Sequence, residues 1–320
     1  MTDINAKPGR SAVRASSSQV AVLGVGRIGL PVCANLVRAG HEVRAHDTRP
    51  ERRAAVEQHG ATWTGAAAEA VKDAAVVITV LPGSPELHAL MLGSGNADDA
   101  GLLARLTSTQ TWIDLTSAAP DLGAELAAAA AARSVAYLDA PLGGGVPAAH
   151  DATLTLYVGG PAAVLDQQRG LLESIAAPDR IHRMGPSGAG YLSKLLVNQV
   201  WFGQAVAVGE ALLLATEGGI ALDQMHRVLA MSPASSEFIT QYLPALYDGD
   251  YLRTFGLGRC VEELDSVLRF AAETVVPTPL ASRVAELYRS ALERFGAVDG
   301  ELLGIAHLED LAGRRLRIGH

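Results

Sequence analysis

From Gln19 onward, short apolar runs alternate with longer segments whose apolar residues recur every three or four positions. "QVAVLG" (19–24), "HEVRAHD" (41–47), "AAVVITVLP" (74–82), "TWIDL" (111–115) and "VAYLDAP" (135–141) are short and rich in Val, Ile and Leu. Turn residues bound them, so they predict strands. The segments between them, such as "RIGLPVCANLVRAG" (27–40), "ERRAAVEQHG" (51–60) and "DLGAELAAAAAAR" (121–133), predict helices, the first closed by Gly40. Strands that are apolar throughout, alternating with helices, predict a parallel sheet covered on both faces. "TLTLYVGG" adds a strand over Thr153–Val158. After about residue 184 the strand signals stop. Helical patterns then run to the end, broken at 218–219, 231–236 and 275–279. A helix from about Gly188 to Glu217 is long enough to bridge two domains.

The chain has 320 residues, 49% of them hydrophobic, enough for two domains with substantial cores. Its formal net charge of −8 excludes nucleic acid as the main partner, because phosphate binding needs a concentrated basic surface. Arg314, Arg315 and Arg317 read as a solvated basic tail. Cys33 and Cys260 stand far apart without metal-ligand spacing, so they read as packing residues in a cytoplasmic chain that holds no metal. The long apolar run "KLLVNQVWFGQAVAVGEALLLA" carries Lys194, Asn198, Gln199, Gln204 and Glu210, and reads as a buried helix and not a membrane span. Residues 1–18 are polar and read as a disordered tail.

Three stretches carry chemistry. "VLGVGRIG" places Gly24, Gly26 and Gly29 in the G-x-G-x-x-G spacing, with Val25, Arg27 and Ile28 between them. It follows a strand and opens a helix, the context in which that spacing cradles a pyrophosphate on free N–H groups. Asp47 ends the second strand, where a carboxylate receives ribose hydroxyls and repels a 2′-phosphate; that favours NAD, while Arg49, Arg52 and Arg53 leave NADP possible. "YLDAPLGGGVPAA" puts Gly143, Gly144 and Gly145 just after a strand, exposing backbone N–H groups at the sheet's carboxyl edge. "GPSGAGYLSKLLVN" puts Lys194 and Asn198 one helical turn apart on one face. A lysine in a water-poor site beside a cationic ring releases its proton more readily, as acid/base work on an alcohol requires. These readings give an α/β chain: an N-terminal Rossmann dinucleotide-binding domain over 19–184 and a C-terminal all-helical domain over 185–320.

In order and in wording, the three motifs resemble the β-hydroxyacid dehydrogenase family over roughly Val20 to Phe295; "TVLPGS" and "DLTSAAP" are similar to family segments lining the cofactor. The resemblance implies Lys194 as catalytic acid/base and Asn198 with the Gly143–Gly145 loop on the substrate. It implies Leu81, Pro82 and Thr116 along the cofactor, a cleft between the domains, and a homodimer or higher assembly. Four positions depart from the family pattern. Gly143 stands where a serine usually begins the loop, Glu262 and Glu263 stand where Lys-Asp is usual, and Val197 replaces a second asparagine. The expected reaction is NAD(P)-linked interconversion of a β-hydroxy acid, or a related alcohol, and its carbonyl. The altered loop keeps imine reduction open, although related imine reductases typically lack the lysine. A dinucleotide-binding interaction module without turnover is the third reading.

Overall fold

The computed structural model describes residues 18–93 and 100–318. The tail expected over 1–18 falls, Ser18 apart, outside the described residues. Within them, one sheet holds β1 Gln19–Leu23, β2 Glu42–His46, β3 Thr62–Trp63, β4 Val76–Thr79, β5 Thr111–Asp114, β6 Ala136–Asp139, β7 Leu142–Gly143, β8 Leu154–Gly159 and β9 Ala176–Gly185. The helices that cover it are α1 Gly29–Arg38, α2 Arg53–Gln58, α3 Ala67–Val71, α4 Ser84–Leu92, α5 Pro120–Ala132, α6 Gly145–His150 and α7 Ala162–Leu172.

The strand order is β3-β2-β1-β4-β5-β6-β8-β7, with β9 on β8. From β1 to β6 every pairing is parallel. The chain runs outward from β1 to β3, then returns to lay β4 on the other side of β1. That reversal parts the loops after β1 and β4, and a ligand fits beyond the strand ends there. Because both faces are covered, Val22, Ile78 and Ile113 belong to one apolar layer and Leu23, Trp112 and Leu126 to the other.

The sheet departs from the all-parallel expectation at its far edge. β8 pairs antiparallel with β6 and β7, and β9, which the sequence did not announce, pairs parallel with β8. Most of β9 is solvent-exposed, and it contains Pro178, Asp179 and Arg180. An edge strand with one wet face needs no continuous apolar run, so the hydrophobic signal is missing.

The rest is helical: α8 Ala189–Glu217, α9 Leu222–Met231, α10 Leu243–Tyr247, α11 Leu257–Glu273, α12 Pro279–Phe295 and α13 Leu303–Ala312. α8 is apolar around much of its circumference, and α11, α12 and α13 pack on it. Phe202, Leu264 and Tyr288 centre one core there; Leu212, Phe238 and Ile305 centre another. Cys33 and Cys260 are buried and unbonded; burial pushes the Cys33 thiol up to about 12, so it packs and does not react. The basic tail keeps Arg314 and Arg315 exposed, as expected, but is docked through ion pairs. Glu309, 1% exposed, accepts from Tyr251 Oη, Leu316 N, Arg315 and Arg317, because a buried carboxylate requires compensating donors. Among the described residues, no helix is long and apolar enough to cross a membrane, and no group of His, Cys, Asp and Glu could hold a metal ion.

Candidate active site

The turn after β1 has the shape that its glycines anticipate. Gly24 has φ +91°, and a Cβ there would lie 2.3 Å from the Val80 carbonyl oxygen. A Cβ on Gly29 would lie 1.9 Å from the Gly24 carbonyl oxygen, so α1 starts hard against the turn. Nothing comes nearer than 3.6 Å to a Cβ on Gly26, which leaves its backbone open to a ligand. Val25 N donates to Asp47 Oδ2 at 2.9 Å, joining the turn to the end of β2. Burial pushes the Asp47 carboxyl up, but hydrogen bonds from Arg49 and Val25 outweigh it and hold the group below its ordinary range. The turn therefore fits a dinucleotide: residues 24–29 would hold the pyrophosphate and Asp47 the ribose. Arg27 reaches across to the helical region, donating to Asp299 at 2.6 Å and to the Arg253 carbonyl.

Two buried aspartates rivet the start of α8 to the sheet. Asp139, at the end of β6, accepts from the backbone N–H groups of Gly188 (2.8 Å), Gly190 (2.9 Å) and Tyr191 (3.2 Å). Asp114, its neighbour at the end of β5, accepts from Tyr191 Oη at 2.6 Å and from Thr79 and Thr116. Tyr137 Oη closes the network on Tyr191 Oη at 2.8 Å. Gly190 is glycine because a Cβ there would sit 2.3 Å from the Tyr157 carbonyl oxygen. Burial pushes both aspartates up to about 6 against the opposing donors. The sequence hinted at this pair, since two adjacent apolar strands, "TWID" and "AYLD", end alike; sequence reasoning missed it.

One turn beyond Tyr191, Lys194 Nζ donates to Asn198 Oδ1 at 3.0 Å. Asn198 Nδ2 donates in turn to Glu263 Oε2 on α11, at 2.6 Å. Burial raises the Glu263 carboxyl, opposed by the Lys194 charge and the Asn198 bond; Glu301, mostly buried, is raised the same way and also faces Lys194. The lysine is thus half-buried among polar partners, where the sequence reading expected a water-poor site in an apolar run. A cleft of about 470 Å³ opens next along the helix; Lys194 and Asn198 are not in its wall, which is formed by Pro82 and Gly83 after β4, Ser117 after β5, Leu195 on α8, and Arg259 and Glu263 on α11. Arg259 spans this cleft, bonding Glu86 of α4 at 2.8 Å and Glu262 at 2.7 Å. It places a cation one turn from the position where the family pattern has a lysine.

The remaining expected residues divide. Pro82 lines the cleft, and Leu81 N is held by Thr116 Oγ1 at 3.1 Å. Thr116 is 1% exposed with its hydroxyl spent between Leu81 and Asp114, so it shapes the loop from beneath. Gly143 ends β7, and Gly144 and Gly145 take φ +99° and +62° as α6 begins. A Cβ on Gly143 would meet Tyr157 Oη at 3.2 Å, so a tyrosine hydroxyl stands against the position where the family pattern has serine. Tyr157, Arg259 and Glu301 escaped sequence reasoning because each reaches its neighbours from a distant segment.

A family model described as the NAD binding domain of 6-phosphogluconate dehydrogenase matches residues 19–185, and one described as NAD-binding of NADP-dependent 3-hydroxyisobutyrate dehydrogenase matches residues 188–303. The 3-hydroxyisobutyrate dehydrogenase of Pseudomonas aeruginosa is 31% identical over 85% of this chain and 91% of its own. The chain belongs to the β-hydroxyacid dehydrogenase family. A second relative, the NAD-dependent L-serine dehydrogenase of the same organism, is 30% identical over 86% of this chain and 93% of its own. The solved structure of Mycobacterium tuberculosis 3-hydroxyisobutyrate dehydrogenase with L-serine superposes with a TM-score of 0.81 at 29% identity, covering 91% of this chain and 99% of that one. Family membership makes this protein an NAD(P)-binding dehydrogenase acting on a hydroxyl group.

Proposed function

We propose that this β-hydroxyacid dehydrogenase interconverts a small hydroxy acid, or a related alcohol, with its carbonyl form, using Lys194 as the proton-transfer group. The observation that carries the reading is the Lys194–Asn198 pair, tied to Glu263 in the cleft wall. Bound NAD supplies a hydride acceptor at its nicotinamide. Asn198 holds the lysine's amine with one oxygen, and the Glu263 bond keeps that amide from rotating. Lys194 then takes the hydroxyl proton as the carbonyl forms and returns it in the reverse direction. Gly143, Gly144 and Gly145 offer backbone N–H groups to the substrate, while Leu81 and Pro82, with Thr116 beneath them, line the cofactor side. Asp47 favours NAD over NADP, because its carboxylate repels a 2′-phosphate. The active species is a homodimer.

Lys194→Ala tests the assignment. The variant's kcat falls by about 10²–10⁴, while NADH affinity, read by fluorescence titration, stays unchanged. A variant that turns over like the wild type removes Lys194 from the chemistry.

A further inference from the structure

Arg27 stands in the dinucleotide turn, yet its guanidinium is spent on the helical region. Nη2 donates to Asp299 Oδ2 at 2.6 Å, and Nη1 donates to the Arg253 carbonyl at 3.3 Å. The acceptor is held firmly. Asp299 lies in the link between α12 and α13 and bridges antiparallel to Gly256, just before α11. Leu257 N donates to the Val298 carbonyl and Gly300 N to the Phe255 carbonyl, each at 2.9 Å, so backbone bonds fix the link on both sides of the carboxylate. Arg27 is the movable partner, a long side chain that is 54% exposed against 42% for Asp299. An ion pair this exposed is weak. It nevertheless cancels the charge of a guanidinium rooted where a pyrophosphate would sit, and a phosphate brought to that guanidinium meets Asp299 as a like charge. Arg49, also beside the turn, is likewise held, by Asp47.

We propose that Asp299 sets the affinity for the dinucleotide by competing with its pyrophosphate for Arg27. Arg27 leaves Asp299 to meet the phosphates that residues 24–29 cradle through backbone N–H groups, because a guanidinium bonds a phosphate through two charge-assisted N–H donors at once. Asp299 is thus a positioning residue that acts through Arg27. Its carboxylate opposes binding and favours release of the dinucleotide, the kind of step that limits turnover in many enzymes. The proposal concerns dinucleotide binding alone and does not depend on the role of Lys194.

A double-mutant cycle on the full chain decides it. Fluorescence titration reads the affinity for NADH, and calorimetry reads the affinity for ADP-ribose, which carries the pyrophosphate without the nicotinamide. Both side chains of the pair are about half exposed, so neither substitution threatens the fold. Asp299→Asn tightens both ligands about 3–10-fold. That gain shrinks as salt is raised from about 0.1 M to about 1 M, since the freed charge is then screened. Arg27→Gln weakens both ligands, and in that background Asp299→Asn has no further effect. Loss of a merely structural contact does not tighten binding, and it acts with or without Arg27. Unchanged or weaker binding in Asp299→Asn, a gain that survives in Arg27→Gln, a gain for NADH without one for ADP-ribose, or an Arg27→Gln chain that binds as the wild type does overturns the proposal. Failure of the Lys194 assignment shows in turnover and leaves these affinities as they are.

Discussion

Asp47 already accepts four hydrogen bonds: Val25 N and Arg49 Nη2 on one oxygen, Arg49 N and Nε on the other. A carboxylate has about four lone-pair sites, so a ribose diol reaching Asp47 must displace the Arg49 side chain. That guanidinium, while bonded to Asp47, already lies close to the dinucleotide turn, 3.6 Å from a Cβ on Gly26. Asp47→Ser therefore weakens NAD and lets Arg49 meet a 2′-phosphate. The ratio of kcat/KM for NAD over NADP falls about 10–100-fold, the worth of one charge-assisted hydrogen bond; an unchanged ratio takes Asp47 out of cofactor choice. At this scale the sequence is legible where function is local. Gly24, Gly26 and Gly29 share one turn, and Lys194 and Asn198 are one helical turn apart. Glu263 bonds Asn198 across 65 positions, and no spacing rule reaches that far.

The N-terminus of α8 depends on buried aspartates, and that dependence has a pH signature. Asp114 and Asp139 titrate near 6 in the fold against an ordinary 3.8, so the folded chain binds their protons more tightly than the unfolded chain does. Their contribution to stability is complete below about 3.8 and is lost as pH rises through about 6, on the order of 2–3 kcal/mol each. Thermal melts accordingly give a higher Tm at pH 5 than at pH 8. Asp114→Asn removes a large part of that difference, since its partners are hydroxyls that can reverse and the fold tolerates the amide. A flat profile from pH 5 to 8 in the wild type contradicts this account. Among the elements, β1, β4 and β5 were evident because burial on both faces makes a strand apolar throughout. β9 was not, because an edge strand with one wet face carries no continuous apolar run.

In the whole molecule, α8 buries one side against α11, α12 and α13 and leaves another bare. Val197 and Val200 are 45% and 57% exposed, beside Leu280 of α12 at 70%. Val200, Gly203, Ala207 and Leu280 line an apolar groove of about 260 Å³ between α8 and α12. The proposed homodimer would cover this face with a second copy, each protomer setting its α8 and α12 against the other's under two-fold symmetry. Val200→Asp shifts the chain to monomer in sedimentation velocity, because a charge cannot be buried unpaired in such a seam; a wild type that sediments as a monomer at micromolar concentration rules the dimer out. By itself the sequence determined the alternation of elements, the glycine turn and the lysine–asparagine face, since each follows from periods of two, three or four residues. Tertiary structure alone decided that Arg315 and Arg317 dock on a buried glutamate and that β8 turns antiparallel. It also decided that Glu263 joins the lysine with one oxygen still unspent. Burial is a property of packing, and the same glutamate is an ordinary surface charge until helices from two ends of the chain close around it.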